Sequence, residues 1–232
     1  MSAVVHAAGT DLGDAASGSD ALGIPEPLVF DLVRPLGSPK GELEVNLYAA
    51  HGRGQGLAWS PELEYVFADG HAVELELPHS RGTLDEIKVA VQGTFGGLWG
   101  GRMIHGWQFI SRKALEAQPT HHDLLYLHGA RWSDQWSSMH MVGLRHAESA
   151  ASGPRTWLVN AALFWRASDR WTLGLEANLE HARPGGWGYR LTPQLHLPLR
   201  RNEALQLGLG PSTLNHDRKR RWLLVARFSR NF

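Results

Sequence analysis

The chain of 232 residues contains no cysteine, so it has no disulfide framework, which fits an exported protein. It has no run of about 18 uncharged apolar residues, which excludes a membrane-spanning helix. Basic and acidic side chains balance at 23 each, so no net field favours nucleic acid as a partner. No segment has the 3.6-residue apolar period of an amphipathic helix. These absences together indicate an all-β chain.

Catalytic signatures are also absent. The sequence has no Gly-x-Ser-x-Gly, no His-Glu-x-x-His, no phosphate-binding loop and no cysteine to which a haem could be attached. The carboxylates are many and spread along the chain, and none is marked out as a catalytic pair. We predict that the protein is not an enzyme and that it holds no cofactor.

What the sequence does contain is alternation. From Gly41 onward apolar and polar side chains alternate with a period of two, beginning with Leu43, Val45 and Leu47 on one face. About twelve such segments follow, mostly near the ~9–11 residues that a tilted strand needs to cross a bilayer. They predict an antiparallel transmembrane β-barrel over residues 41–232. Residues 1–40, rich in Ala, Gly, Ser and Pro, are predicted to be flexible or to pack in the lumen.

The turns between these segments fall into two alternating sets. One set is predicted at 69–70, 98–102, 133–135, 167–169 and 200–202, and the other at 51–56, 79–83, 114–120, 148–154, 183–186 and 212–218. An even-stranded outer-membrane barrel has short turns on the periplasmic side, where both chain ends lie. We therefore expect the first set, together with Phe232, on that side.

Aromatic residues at the strand ends indicate that the apolar face points outward. The predicted aromatic girdle consists of Trp59, Trp132, Trp157, Trp165, Trp171 and Trp222. The polar face carries Gly, Gln, Asn, Glu and Arg, which suits a wet lumen. A soluble two-sheet sandwich also alternates, with its apolar face inside, and stays open as the structural alternative.

The last strand has a recognisable ending. Phe228 and Phe232 lie on the apolar face of the segment that closes the chain, and Arg230 stands where an apolar residue is more usual. This ending resembles the C-terminal strand of bacterial outer-membrane β-barrels, whose final aromatic is an assembly signal. The resemblance implies that Phe228 and Phe232 are recognised by the barrel assembly machinery.

Two internal motifs resemble one family of such barrels. The segment Trp59-Ser-Pro-Glu-Leu-Glu-Tyr65, followed by Asp69-Gly70, and the segment Leu191-Thr-Pro-Gln-Leu-His196 are similar to proteobacterial outer-membrane proteins grouped with the meta-pathway phenol-degradation barrels. The resemblance spans about residues 41–232. It implies a transport-like barrel and assigns no site residues.

Charges on the polar face are segregated along the chain. The predicted lumen walls are Glu42, Glu44, Glu62, Glu64, Glu74, Glu76, Glu86, Arg112, Arg131, Arg145, Arg166, Arg190 and Arg227. In a barrel, the acidic wall of the early strands would face the basic wall of the later ones. Either the opposite charges pair across a closed lumen, or they set up a transverse field in a narrow pore.

Thirteen histidines raise the question of a metal site. His121, His122 and Asp123 are adjacent and could offer nitrogen and oxygen ligands. Neighbouring residues on a strand point to opposite faces, so one strand cannot direct both imidazoles at one ion. We predict no metal site. His128, His140 and His146 fall on the outward face, where an interfacial position or cover by a partner is expected.

These observations predict a bacterial outer-membrane barrel, a narrow channel or uptake barrel for small polar solutes. The alternative is a non-conducting structural barrel that anchors a partner in a cell-envelope complex. The expected partners are the lipid bilayer, the assembly machinery and other envelope proteins. The start of the sequence shows no signal peptide, so we expect that such a signal was removed or lies upstream.

Overall fold

A computed structural model describes residues 22–30, 32–54, 56–116, 119–148, 155–182, 185–214 and 219–232. Its strands form one antiparallel sheet in which each strand pairs with its neighbours in sequence, and the first strand pairs with both the second and the last. The sheet is therefore a closed barrel of 12 strands. Closure confirms the predicted fold class and excludes the two-sheet sandwich.

The strand bounds agree closely with the predicted segments. The strands are β1 Leu43–Gly52, β2 Gly56–Ala68, β3 His71–Glu76 continued by His79–Ser80, β4 Thr83–Leu84 continued by Glu86–Leu98, β5 Met103–Ala114, β6 His121–Arg131, β7 Trp136–Ala147, β8 Arg155–Ser168, β9 Trp171–Ala182, β10 Gly186–Arg200, β11 Glu203–Ser212 and β12 Arg221–Asn231. A 3₁₀ turn, Trp99–Gly101, connects β4 to β5. None of the described residues belongs to a helix long and apolar enough to cross a membrane.

Side-chain alternation places apolar groups outside and polar groups inside. In β10, Leu191 and Pro193 are exposed, whereas Thr192 and Gln194 between them are buried. The same alternation holds in β5, although its apolar and polar residues alternate less regularly in the sequence. His105 points outward beside Tyr126, and Ile110 points inward and is buried. The outward direction of the apolar face, inferred from the sequence, matches this burial pattern.

The connections lie at two ends of the barrel. The end that carries residues 69–70, 99–102, 132–135, 169–170 and 201–202, here called the turn end, also holds the first residue of β1 and the last of β12. The opposite end, here called the loop end, carries the remaining connections. The hairpin at Asp69 and Gly70 is the tightest turn predicted from sequence, and Gly70 has the positive φ of 69° that favours glycine.

Outward-facing tryptophans gather at both ends. Trp132, Trp165 and Trp171 lie near the turn end and are exposed, and Trp157 and Trp222 are exposed near the loop end. Trp59, the remaining member of the predicted girdle, lies near the loop end and stacks on His79 with ring centroids 4.1 Å apart. The two bands frame a belt of exposed Leu, Val and Phe side chains. Such a belt suits contact with hydrocarbon.

Candidate functional site

The described residues that precede β1 lie inside the barrel. Residues 22–30 and 32–40, here called the plug, enter and leave at the turn end. Arg131 Nη1 donates a hydrogen bond to the Leu22 carbonyl at 2.7 Å, and Gly70 N–H donates to the Ser38 carbonyl at 2.8 Å. Between these two points the plug rises into the lumen and returns.

The tip of the plug is held by one carboxylate of β9. Glu176 is fully buried and accepts hydrogen bonds from three successive backbone N–H groups, those of Leu28, Val29 and Phe30, at 3.0, 3.0 and 2.6 Å. Gln194 Oε1 accepts a further bond from Leu28 N–H at 3.1 Å. Successive N–H groups that converge in this way form an anion-binding concavity, here filled by a side chain of the wall.

A buried cation anchors the returning limb of the plug. The Arg34 guanidinium, 1% exposed, donates to the Glu44 carboxylate and, at 3.1 Å, to that of Glu42. Carboxylate oxygens of Glu64 and Glu26 lie 3.7 and 3.9 Å away. One plug cation thus compensates much of the acidic wall that the sequence predicts on β1 and β2.

The acidic residues of β3 have their own cation. Lys88 on β4 is completely buried, with its Nζ 2.6 Å from Glu74 Oε1 and in contact with the carboxylate of Glu76. Sequence reasoning placed Lys88 on the polar face but did not assign it to the charged walls. Its position two residues from Glu86 on the same face is the signal that could have identified it.

The plug also buries an apolar patch of the lumen wall. Phe30, Leu32, Val33 and Leu36 belong to one buried cluster with inward-facing apolar residues of β5 to β8. Those wall residues are Ile104, Ile110, Leu125, Leu127, Met139, Met141, Leu158, Ala162 and Phe164. They interrupt the polar face in the sequence because they contact the plug rather than water.

Other parts of the wall beside the plug are polar and incompletely hydrogen-bonded. Gln108 is fully buried, and neither its oxygen nor its nitrogen has a partner among the described residues. The same holds for side-chain oxygens of Asn46, Ser60, Gln92 and Thr192. Buried polar groups without partners cost free energy, so this surface is better suited to a wet lumen than to a packed one.

Above the plug the lumen opens into a cavity of about 330 Å³ at the loop end, here called the vestibule. Val29 and Phe30 form part of its floor. Its walls carry charged residues of both signs. The charged residues are Glu62, Glu76, Glu86, Asp123, Glu180, Arg112, Arg145, Arg190 and Arg227.

Most vestibule charges are paired with near neighbours. Arg145 donates to both carboxylate oxygens of Asp123, at 2.8 and 3.0 Å, and to Glu180 at 3.4 Å. Arg112 lies 3.6 Å from Asp123. These pairs join strands that are close in the sheet. They also place the Asp123 carboxylate among the arginines of the lumen wall, a position that the sequence did not predict.

The predicted walls are thus divided between three places. The vestibule is lined by Glu62, Glu76, Glu86, Arg112, Arg145, Arg190 and Arg227. Beside the plug or Lys88 lie Glu42, Glu44, Glu64 and Glu74. Near the turn end lie Arg131 and Arg166. Among the described residues, Arg145, Arg166 and Arg190 form no ion pair with the glutamates of β2 and β3. Arg227 lies 4.0 Å from Glu62, so one ion pair joins the two predicted walls. Glu44 and Glu74 pair instead with Arg34 of the plug and with Lys88.

The last strand places its aromatic residues on the outer surface. Phe228 and Phe232 are exposed, and Phe228 lies opposite Leu47 of β1 across the barrel seam. Phe232 N–H donates to the Leu43 carbonyl at 2.9 Å. Arg230 lies over the Phe232 ring, 5.0 Å from its centroid. The role of the two phenylalanines in assembly stays a prediction.

His122 and its neighbour Asp123 point to opposite faces of the barrel wall, as strand geometry requires. Asp123 points inward to Arg145, whereas His122 stacks outside on Phe109 and lies 2.9 Å from Glu148. That hydrogen bond lowers the pKa of Glu148. Within the described parts of the chain, no three His, Asp or Glu side chains are placed to hold a metal ion.

Solved structures of outer-membrane channels share this fold. The COG4313 outer membrane channel from Pseudomonas putida F1 aligns with a TM-score of 0.65 at 13% identity, over 88% of this chain and 100% of that chain. The KdgM porin aligns at 0.62 and 11%, and the NanC porin at 0.65 and 8%, each over 80% of this chain and 98% of its own. The sequence matches no protein-family model and no curated protein.

Proposed function

We propose that this protein is a bacterial outer-membrane barrel that takes up small polar solutes, with the plug as its gate. The apolar outer belt between two tryptophan bands supports insertion in a bilayer. The solved structures with the same fold are described as porins or as a channel, which supports a transport role. Membership of the meta-pathway phenol-degradation family stays a prediction.

The polar lumen wall beside the plug is the observation that carries the proposal. A barrel that only had to be closed would be stabilised by apolar side chains packed across its interior. Here the fully buried Gln108 has no hydrogen-bond partner among the described residues. Withdrawal of the plug would let water reach such groups. The free energy recovered by hydration offsets part of the cost of opening.

Solute passage then has two stages. A solute first enters the vestibule from the loop end, where Glu62, Glu76 and Glu86 face the basic side of the lumen. It halts at the floor formed by Val29 and Phe30. Passage to the turn end requires the plug tip to leave Glu176. The charged walls select for polar solutes before the gate is reached.

A second function is favoured by the same plug. Arg34 and Lys88 are fully buried among carboxylates, which suits a lumen that is closed permanently. On this alternative the protein is a non-conducting structural barrel that anchors a partner in a cell-envelope complex. The two functions differ in whether the plug ever leaves its seat.

Two measurements on the full-length chain test the proposal. After expression with a signal sequence, we expect the protein in the outer-membrane fraction, with a gel mobility that changes on heating. In planar bilayers we expect discrete current steps as the plug opens and closes. A protein soluble without detergent contradicts the membrane barrel. Permanent electrical silence of the inserted protein contradicts uptake and supports the structural alternative.

A further inference from the structure

Two charged groups in the vestibule lack the partner that the others have. Among the described residues, no carboxylate lies within ion-pair distance of Arg190, whose Nη2 donates to the Tyr48 hydroxyl at 3.0 Å. Likewise the Glu86 carboxylate has no hydrogen bond or ion pair to any described residue. One group of each sign is therefore available to a ligand in the same cavity.

These two groups stand on opposite sides of the barrel. Glu86 begins the longer part of β4, and Arg190 lies on β10, six strands away in a ring of 12. Strands about 4.8 Å apart and tilted by about 40° enclose a backbone cylinder roughly 24 Å across. Two long side chains that point inward leave a gap of roughly 10 Å between their charged ends.

The guanidinium of Arg190 is held in place by β1. Tyr48 accepts its hydrogen bond, and the Tyr48 ring is covered on its face by Arg227, 5.9 Å from the ring centroid. Only one of the donor groups of Arg190 is used in this contact. A planar guanidinium fixed at one edge presents its other N–H groups for bidentate binding of a carboxylate.

We propose that the vestibule binds a zwitterionic solute end to end, with its ammonium group at Glu86 and its carboxylate at Arg190. Hydrogen bonds of about 2.8 Å at each end leave roughly 4 Å of this gap for the solute, which is close to the span of one amino acid at about 3.3–3.6 Å per residue. The solute class is therefore a free amino acid. This inference rests on the proposed function, for which it names the substrate class.

The other vestibule charges near the two groups already have partners of opposite sign. Arg145 pairs with Asp123 and Glu180, and Arg227 lies 4.0 Å from Glu62. Glu76 contacts Lys88. A zwitterion satisfies Glu86 and Arg190 at once, without adding net charge to the cavity.

Calorimetric titration of the detergent-solubilised full chain tests the proposal. The probes are alanine, N-acetyl-alanine and alanine amide, which carry both end charges, only the carboxylate and only the ammonium. We expect alanine to bind about tenfold more tightly than either blocked derivative, since each lost end removes one charge-assisted hydrogen-bonded contact. Equal binding of all three compounds, or no binding, overturns the proposal.

Two variants test which residue binds the ammonium group of the solute and which binds its carboxylate. Glu86→Gln should weaken the binding of alanine about tenfold and leave that of N-acetyl-alanine unchanged, whereas Arg190→Gln should weaken the binding of alanine and leave that of alanine amide unchanged. Glu203→Gln and Arg200→Gln, at the turn end, are the matched controls and should change nothing. If each variant weakens the binding of all three compounds equally, the two residues act only on the structure and the proposal is wrong.

The proposed function and the zwitterion site can be contradicted separately. Amino-acid binding with the expected preference in a barrel that never conducts contradicts uptake alone. Current steps in a barrel without any preference for the free amino acid contradict the zwitterion site alone.

Discussion

Glu176 Oε1 accepts a hydrogen bond from the backbone N–H of Phe30 at 2.6 Å, deep in the lumen and at the tip of the plug. The other oxygen of the same carboxylate accepts the N–H groups of Leu28 and Val29. One wall carboxylate thus fixes three successive amides of a segment that has no regular secondary structure. Gln194 accepts one further bond from Leu28, so Glu176 accepts most of the hydrogen bonds that these three amides donate.

Glu176→Gln should loosen the plug tip. The amide keeps one acceptor oxygen and brings a donor toward backbone N–H groups, so we expect a loss of about 1–3 kcal/mol in the free energy that holds the tip. Hydrogen exchange at residues 28–30 should accelerate, and current steps should become more frequent. Glu148→Gln, on the exposed loop after β7, is the control. Unchanged exchange at these amides would show that Glu176 does not hold the plug.

Arg34→Met should be strongly destabilising. The substitution keeps much of the side-chain volume but leaves the carboxylates of Glu44 and Glu64 without their shared cation. We expect the free energy of unfolding to fall by about 3–5 kcal/mol near neutral pH. Urea unfolding followed by tryptophan fluorescence measures it.

Glu64→Gln is the matched comparison for Arg34→Met, since it removes the opposite charge from the same cluster. Glu64 Oε1 accepts from Asn46 Nδ2 at 2.6 Å, whereas its Oε2 has no hydrogen-bond partner. One carboxylate fewer around a single cation also reduces repulsion. We expect a change of about 1 kcal/mol or less. Equal losses in the two variants would mean that the cluster is hydrated, and the dry packing of the plug would be wrong.

Deletion of Phe232 should lower the yield of assembled barrel and leave synthesis intact. Its ring is exposed on the outer surface, and its backbone N–H donates to Leu43 across the barrel seam. The fraction with heat-modifiable gel mobility measures assembly. Phe95→Ala removes an equally exposed ring elsewhere and is the control. Normal assembly after the deletion would contradict the role of the terminal aromatic.

The strands were predictable because their cause is local. In β10, the alternation of Leu191, Pro193 and Leu195 with Thr192 and Gln194 follows from strand geometry and one buried face, and the pattern is visible in the sequence. The same reasoning located the hairpins and the outward direction of the apolar face. A period of two therefore specified both the strands and their register.

The plug contacts were not predictable, because they join residues far apart in sequence. Arg34 stands alone in a proline-rich segment, and nothing near it shows that Glu64 will lie beside it in the lumen. Leu125 and Leu127 interrupt the polar face of β6, and they belong to the buried cluster that contains Phe30 of the plug. The contacts inside the lumen depend on tertiary packing, whereas the alternation of apolar and polar residues along a strand is local.

Movement of the plug is the central claim, and a reversible lock tests it most directly. A Cβ atom built on Gly129 of β6 would lie 2.8 Å from Ile24 Cδ1 near the start of the plug. Because the chain has no cysteine, Ile24→Cys with Gly129→Cys introduces the only two thiols. Their disulfide would join the start of the plug to β6, and the end of the plug is already joined to β1 by the chain itself.

The measurement is the current through this double variant in planar bilayers, recorded oxidised and again after dithiothreitol, with each single variant as a control. If the plug is the gate, the oxidised protein is silent and reduction restores the current steps. Equal current in both states would contradict a gate formed by residues 22–40.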